Sequence, residues 1–297
     1  MTRVVILGCG YVGCALAGQL TDSDVVGVRR SDAGLAAVEA AGGRPVQADV
    51  TVPDALEAVP DADWLVFAAS AGGRDAEAAR DTYVEGLKTA IDHFAARSSP
   101  PERIVYTSST GVYGDHDGAQ VDEDTALQPT TEKTRVLVEA ERIARQRPPA
   151  GIDGTVARFG GLYGPDRYRL ERYLDGPVTA GHLNMVHRED AAGAVRFLLE
   201  ANHGRNAVVN VVDDEPVEKW AFADWLASQC EEPDPPKETL ASRLEAVDSD
   251  QRRQRLRANK RVSNDRLREL GYEFAYPTFR EGYRDAIAQY LADSDET

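Results

Sequence analysis

The sequence predicts an α/β protein: a doubly wound parallel sheet with a smaller C-terminal lobe. Three observations carry this. Over the first 160 of 297 residues, short apolar runs alternate with stretches of helical spacing. The runs are continuously apolar, the pattern of strands covered on both faces in a parallel sheet. The first run is closed by a glycine-rich turn that opens straight into a helix. Right-handed crossovers then wind the helices onto both faces.

The first strand is Val4–Leu7, and Tyr11–Leu20 follows as a helix with apolar residues at 12, 16 and 20. Val25–Val28 is the second strand, Ala33–Ala41 the second helix, and Pro45–Ala48 a short third strand. Trp64–Ala68 is the fourth strand and ends in small residues. Asp75–Arg97 reads as one long helix, stopped by Ser98-Ser99-Pro100-Pro101. Ile104–Thr107 is the fifth strand, Thr134–Gln146 a helix and Thr155–Arg158 the sixth strand. Beyond residue 160 glycine and proline punctuate shorter segments: a helix over Glu189–Ala201, a strand at Val208–Val211, a helix over Glu218–Gln229 and a loop at Glu231–Pro236. The expected division is therefore a nucleotide-binding domain over 1–160 and a substrate lobe over 161–297, with the 189–201 helix returning to the first domain.

A composition 42% hydrophobic gives ample core, and no apolar run approaches the roughly 18 residues of a membrane span. The N-terminus enters a strand at once, so no secretory signal is expected. Cys9, Cys14 and Cys230 are odd in number and form no CxxC, which disfavours a disulfide framework or a thiolate zinc site. His93, His116, His182, His187 and His203 show no paired spacing, so no metal is expected; His187 reads as structural at the start of a helix. No GxSxG elbow is present. The reading is a cytoplasmic protein.

Fifty Asp+Glu oppose 34 Lys+Arg, for a net charge of −16. Only five lysines occur: Lys88, Lys133, Lys219, Lys237 and Lys260. Nucleic acid and anionic lipid both want a positive field, so neither is an expected partner. A halophilic surface is the expected cause. Its consequence is a melting temperature that rises from dilute buffer to molar KCl, as salt screens self-repulsion. A flat or falling curve would return the acidic surface to partner binding. The one basic cluster, Asp248–Arg261, reads as a solvated helix face, with contact to an anionic substrate as the alternative.

The turn after the first strand is Gly8-Cys9-Gly10-Tyr11-Val12-Gly13, a GxGxxG between strand and helix. Gly8 permits the tight turn, Gly10 lets the backbone approach a pyrophosphate, and Gly13 lets helix and strand pack closely. This is the dinucleotide-binding (Rossmann) arrangement. An NAD site wants an acid at the tip of the second strand to hold the ribose hydroxyls. Here the tip reads Val28-Arg29-Arg30-Ser31. Two guanidiniums and a hydroxyl suit a 2′-phosphate, so NADP is expected, with NAD possible. Asp49 is placed to meet the adenine edge.

With these motifs in place, the chain resembles the extended short-chain dehydrogenase/reductase superfamily, the NAD(P)-dependent epimerase/dehydratase group, over nearly its whole length. Ala48-Asp49-Val50-Thr51 is similar to the family's "gDl" turn, and Tyr106–Gly114 to its "SSxxVYG" strand end. Arg158–Pro165 resembles the segment passing the nicotinamide, His187-Arg188-Glu189-Asp190 the "HxxD" helix start, and Asn210–Asp213 a strand of the substrate domain. Residue reading and resemblance together give a cofactor set of Gly8, Gly10, Tyr11, Val12, Gly13, Arg29, Arg30, Asp49, Val50, Ala68, Ala69, Arg135 and Phe159.

The resemblance implies a Tyr acid, a Lys four residues later and an orienting Ser or Thr. Ser109 fits the orienting hydroxyl. The YxxxK pair is absent, and anchoring on Glu139 puts Thr131 at the Tyr position and Arg135 at the Lys position, with Lys133 out of register. Threonine cannot replace a phenolic acid. Tyr113 is the nearest substitute in sequence, though the family's "VYG" tyrosine is usually a packing residue. Gly161 stands where nucleotide-sugar enzymes usually carry Asn, which weakens that substrate reading. The catalytic candidates are thus Ser109, Tyr113, Thr131 and Arg135. The expected function is an NADP-dependent oxidoreductase or epimerase acting on a carbonyl or hydroxyl of a small polar substrate. The alternative is a non-catalytic NADPH sensor.

Overall fold

In a computed structural model, residues 1–71, 76–200 and 204–295 are described. Seven strands form one sheet: β1 (Arg3–Leu7), β2 (Asp24–Arg29), β3 (Arg44–Gln47), β4 (Trp64–Phe67), β5 (Arg103–Ser109), β6 (Asp153–Phe159) and β7 (Val208–Val211). Their order is β7-β6-β5-β4-β1-β2-β3, with every neighbour parallel. This is the doubly wound fold that the continuous apolar runs predict. In β1, Val5 and Leu7 join the core on one face while Val4 and Ile6 join the core on the other. The chain reverses direction across the sheet between β1 and β4, and ligands bind at such switch points, beyond the carboxyl ends of the strands.

The helices that bear on the site are α1 (Tyr11–Gln19), α2 (Asp32–Ala40), α3 (Leu87–Ala95), α4 (Glu132–Gln146), α5 (Arg188–Glu200), α6 (Lys219–Gln229) and α7 (Asp250–Arg257). α4 starts two residues before the expected Thr134. Thr131 caps it, its hydroxyl accepting from the Thr134 N–H at 3.2 Å while the Thr134 hydroxyl accepts from the Thr131 N–H at 3.0 Å. The expected long helix is interrupted. A helical turn at Ala76–Arg80 leads into a π-helical stretch, Asp81–Gly86, before α3 begins. The π-helix admits an extra residue per turn. The start of that expected helix, Asp75, lies outside the described residues, as do Ala201 and His203.

α5 packs on α1, and its Val195, Leu198 and Leu199 join the same core as Leu16. A third core gathers Tyr163, Phe222, Phe279 and Tyr283 beyond the sheet. Two small ladders matter for the site. Gly161–Tyr163 pairs with Met185–His187, and Gln120–Val121 pairs with Arg261–Val262. The second ladder draws the charged 250–262 segment up against the loops that follow β5. Among the described residues, no helix is long and apolar enough to cross a membrane.

Candidate functional site

A cleft of about 1170 Å³ opens at the carboxyl ends of β1, β2, β4, β5 and β6. At its floor Gly8 holds a left-handed φ of +82°, and a Cβ there would sit 2.2 Å from the Ala69 Cα. Only glycine lets the backbone turn after β1 lie this close to the turn after β4. The N-terminus of α1, capped by Gly10 with no side-chain acceptor, faces the same space. Exposed N–H groups and the helix dipole together favour an anion there. The residues present therefore fit a dinucleotide pyrophosphate.

At the β2 tip, Arg29 folds back across this loop. A Cβ on Gly10 would meet its Nη1 at 2.7 Å, and one on Gly34 would meet its Nε at 2.5 Å. Arg30 turns toward Asp49, Nη1 to Oδ2 at 3.3 Å, so these two residues face each other. Burial pushes the Asp49 carboxyl up. Hydrogen bonds from Thr51 and the Arg30 guanidinium outweigh that and hold it below its usual range. Tyr11 stands on the first turn of α1. Its hydroxyl donates to the Pro165 carbonyl at 2.9 Å, and Arg167 lies 4.1 Å from its ring centre.

Along the far wall, β5 ends in Ser109. Its Oγ accepts from the Gly111 N–H at 3.1 Å, which caps the following 3-10 turn and leaves the hydroxyl proton free to donate into the cleft. Thr131 also lines the cleft, as do Val50, Ala68 and Phe159. Two expected residues do not. Tyr113 is fully buried behind β5, donating to Asn210 Oδ1 at 2.9 Å and accepting from Arg158 Nη1 at 2.8 Å. It is part of a buried network, in which Arg158 holds Glu141 and Glu141 accepts from Ser108 Oγ at 2.6 Å. Burial raises the Tyr113 phenol, the wrong direction for an exchangeable proton donor. Arg135 lies on the outer face of α4, paired with Glu132 at 3.0 Å. The cleft-facing positions of this helix are instead Lys133, Thr134 and Leu137. Anchoring on Glu139 fails because Glu139 points outward to Arg80, at 2.6 Å.

Sequence reasoning missed Tyr83 and singled out Lys260 only as one member of the basic cluster; both are at the cleft. The π-helical stretch brings Thr82 and Tyr83 to the wall, with Lys133 Nζ 5.8 Å from the Tyr83 ring centre. Lys260 is buried and donates to the Gly114 carbonyl at 3.0 Å. The basic cluster is thus divided: Arg255 and Lys260 line the cleft, whereas Arg253 pairs with Asp250 at 3.3 Å.

The family described as NAD(P)H-binding matches residues 8–202. The chain belongs to the NAD(P)H-binding family. Its relatives span it over nearly its whole length. Protein YeeZ of Escherichia coli K12 is 30% identical over 289 residues, covering 93% of this chain and 97% of that one. A Methylobacillus flagellatus protein described as an NAD-dependent epimerase/dehydratase is 28% identical with a TM-score of 0.76, over 97% of this chain and 98% of that one. The human epimerase family protein SDR39U1, solved with NADPH, shares the fold at 20% identity and a TM-score of 0.78, over 98% of this chain and 99% of that one. The glycine loop, the β2 tip and Ser109 of this NAD(P)H-binding protein lie in one continuous cleft.

Proposed function

We propose that the protein is an NADP-dependent oxidoreductase or epimerase acting on a carbonyl or hydroxyl of a small polar substrate. The β2 tip is the observation that carries the cofactor choice. It offers Arg29 and Ser31 to a 2′-phosphate, and the acid that lines the cleft beside it, Asp49, is already engaged by Arg30 and Thr51. When bound, the nicotinamide supplies or accepts hydride. The chain's own part is orientation. Ser109 donates to the substrate oxygen, and the walls formed by Phe159, Leu162 and Leu137 exclude water.

Fluorescence titration with NADPH and NADH tests the reading. NADPH is expected to bind roughly ten- to a hundredfold more tightly, one charge-assisted contact's worth. Arg29→Asp should reverse the order. On a carbonyl panel, Ser109→Ala should lower NADPH oxidation without changing NADPH affinity. Equal affinities for the two cofactors in the parent would reject the NADP reading. Tight NADPH binding with no turnover on any carbonyl would favour a sensor.

A further inference from the structure

The cleft has a charge opposite to that of the chain. Among the described residues seven cations line it (Arg29, Arg30, Lys133, Arg167, Arg169, Arg255 and Lys260) against the single acid Asp49, in a protein with 50 acids and 34 Lys+Arg. Of the seven, only Arg30 has a carboxylate partner within 4 Å among the described residues. Elsewhere arginines are routinely paired, as Arg3, Arg80, Arg147, Arg266, Arg268 and Arg280 are. Unneutralised cations gathered in one cleft repel one another, and an arriving anion relieves that cost. A dinucleotide's phosphates account for the cations beside the glycine loop. They leave Arg255 and Lys260, and Lys260 is held at the Gly114 carbonyl, five residues past Ser109.

Among these Lys260 is distinctive. It is only 7% exposed, it lies at the cleft, and among the described residues its one hydrogen-bond partner is the Gly114 carbonyl, which leaves two ammonium protons with no acceptor among them. Its backbone is fixed by Asn184, which donates to the Lys260 carbonyl at 3.0 Å and accepts from the Val262 N–H at 2.6 Å. Asn184 also receives the Gly161 N–H on its own carbonyl at 2.6 Å, so one residue ties Lys260 to the wall after β6. Burial pushes the ammonium down to about 8; Asp115 opposes that shift and Lys219 adds to it, and the group stays largely charged at pH 7.

From this juxtaposition we propose that the Ser109 end of the cleft is a site for a small non-nucleotide anion, the carboxylate or phosphate group of the substrate itself, with Lys260 as its inner contact and Arg255 as its outer one. The inference rests on the proposed function and deepens it. It states that the carbonyl presented to Ser109 belongs to an oxoacid or a sugar phosphate and not to a neutral aldehyde.

The test uses the full chain saturated with NADPH, at constant ionic strength set by KCl. Thermal shift is read against inorganic phosphate and against acetate. Turnover is read on two matched pairs: glyceraldehyde 3-phosphate with glyceraldehyde, and glyoxylate with glycolaldehyde. The expected result is a shift with one of the two anions and preference for the corresponding charged carbonyl. Lys260→Met should weaken both roughly ten- to a hundredfold, with NADPH affinity unchanged. Arg255→Gln, at an exposed position, should weaken them severalfold and covers the case in which Lys260→Met fails to fold. Which anion acts distinguishes a carboxylate from a phosphate. Normal NADPH binding with no anion response and no preference for charged carbonyls would overturn the inference while leaving the cofactor reading standing. UDP binding a hundredfold more tightly than phosphate through Lys260 would overturn it in favour of a nucleotide. Anion binding through Lys260 in a protein that does not bind NADPH would uphold the anion site and refute the cofactor reading.

Discussion

Replacing Arg158 with Met is expected to lower the melting temperature by roughly 10 °C. The Arg158 and Glu141 side chains are 4% and 6% exposed and joined at 2.7 Å, with further contacts from Arg158 Nε to both carboxylate oxygens. Removing the guanidinium strands the Glu141 carboxylate beneath the sheet with Ser108 as its remaining side-chain partner. An uncompensated buried charge typically costs about 3–5 kcal/mol. In a domain somewhat smaller than this one, each kcal/mol shifts the midpoint by about 2–4 °C. The cost belongs to the orphaned charge and not to the pair, so Glu141→Leu combined with Arg158→Met should recover most of the loss. A single variant melting within 2 °C of the parent, or a double variant no better than the single, would contradict this account. The network also supports the ends of β5 and β6, so the destabilised variant should bind NADPH less well near its midpoint.

Gly8→Ala is expected to abolish useful cofactor binding, with affinity falling roughly a hundredfold or more. The methyl group would enter a space already held by the Ala69 backbone, with Cα at 2.2 Å and N at 2.4 Å, at a φ that L-residues avoid. Backbone cannot yield as a flexible side chain does, so β1 and β4 must part at their carboxyl ends. That moves the N–H groups of the glycine loop off the phosphates, and losing two charge-assisted hydrogen bonds accounts for the expected factor. Gly18→Ala is the matched control on the same helix. Its nearest neighbour, the Ala41 carbonyl oxygen, is 3.9 Å away, an ordinary contact. Alanine there should leave NADPH affinity unchanged and stabilise α1 slightly. Calorimetric titration of the three proteins checks the contrast; parent-like binding by Gly8→Ala would show that the loop does not hold the phosphates.

The sheet is legible in the sequence because a strand buried on both faces leaves a mark that needs no partner to interpret. Val4–Leu7 and Trp64–Phe67 are apolar at every position, and the fold requires that. The glycine loop is legible for a similar reason, since its chemistry is local. Residues chosen by counting along the chain fare worse. A register anchored on Glu139 selects Arg135, but a helix turns about 100° per residue, and the face toward the cleft carries Lys133, Thr134 and Leu137 instead. Tyr113 is near Ser109 in sequence, yet it ends a 3-10 turn that sends it behind the sheet. Tyr83 is hidden because it lies inside the π-helical stretch, where each turn admits an extra residue and ordinary helical spacing no longer tells which residues share a face. Lys260 is hidden by distance. Only the pairing of Arg261–Val262 with Gln120–Val121 brings it beside Gly114, and nothing in either segment announces the other.

Tyr11 belongs to two parts of the molecule at once. Its backbone begins the helix whose N-terminus faces the pyrophosphate site, while its hydroxyl is held by Pro165 and its ring by Arg167 and Arg188. Whatever settles the glycine loop therefore also settles the loop that carries Arg167 and Arg169 to the cleft. Binding free energies at two sites joined in this way are reciprocal. If cofactor tightens the hold on substrate by some factor, substrate tightens the hold on cofactor by the same factor. The coupling is symmetric, so what the Tyr11 junction fixes is the size of the mutual effect and not an order of arrival.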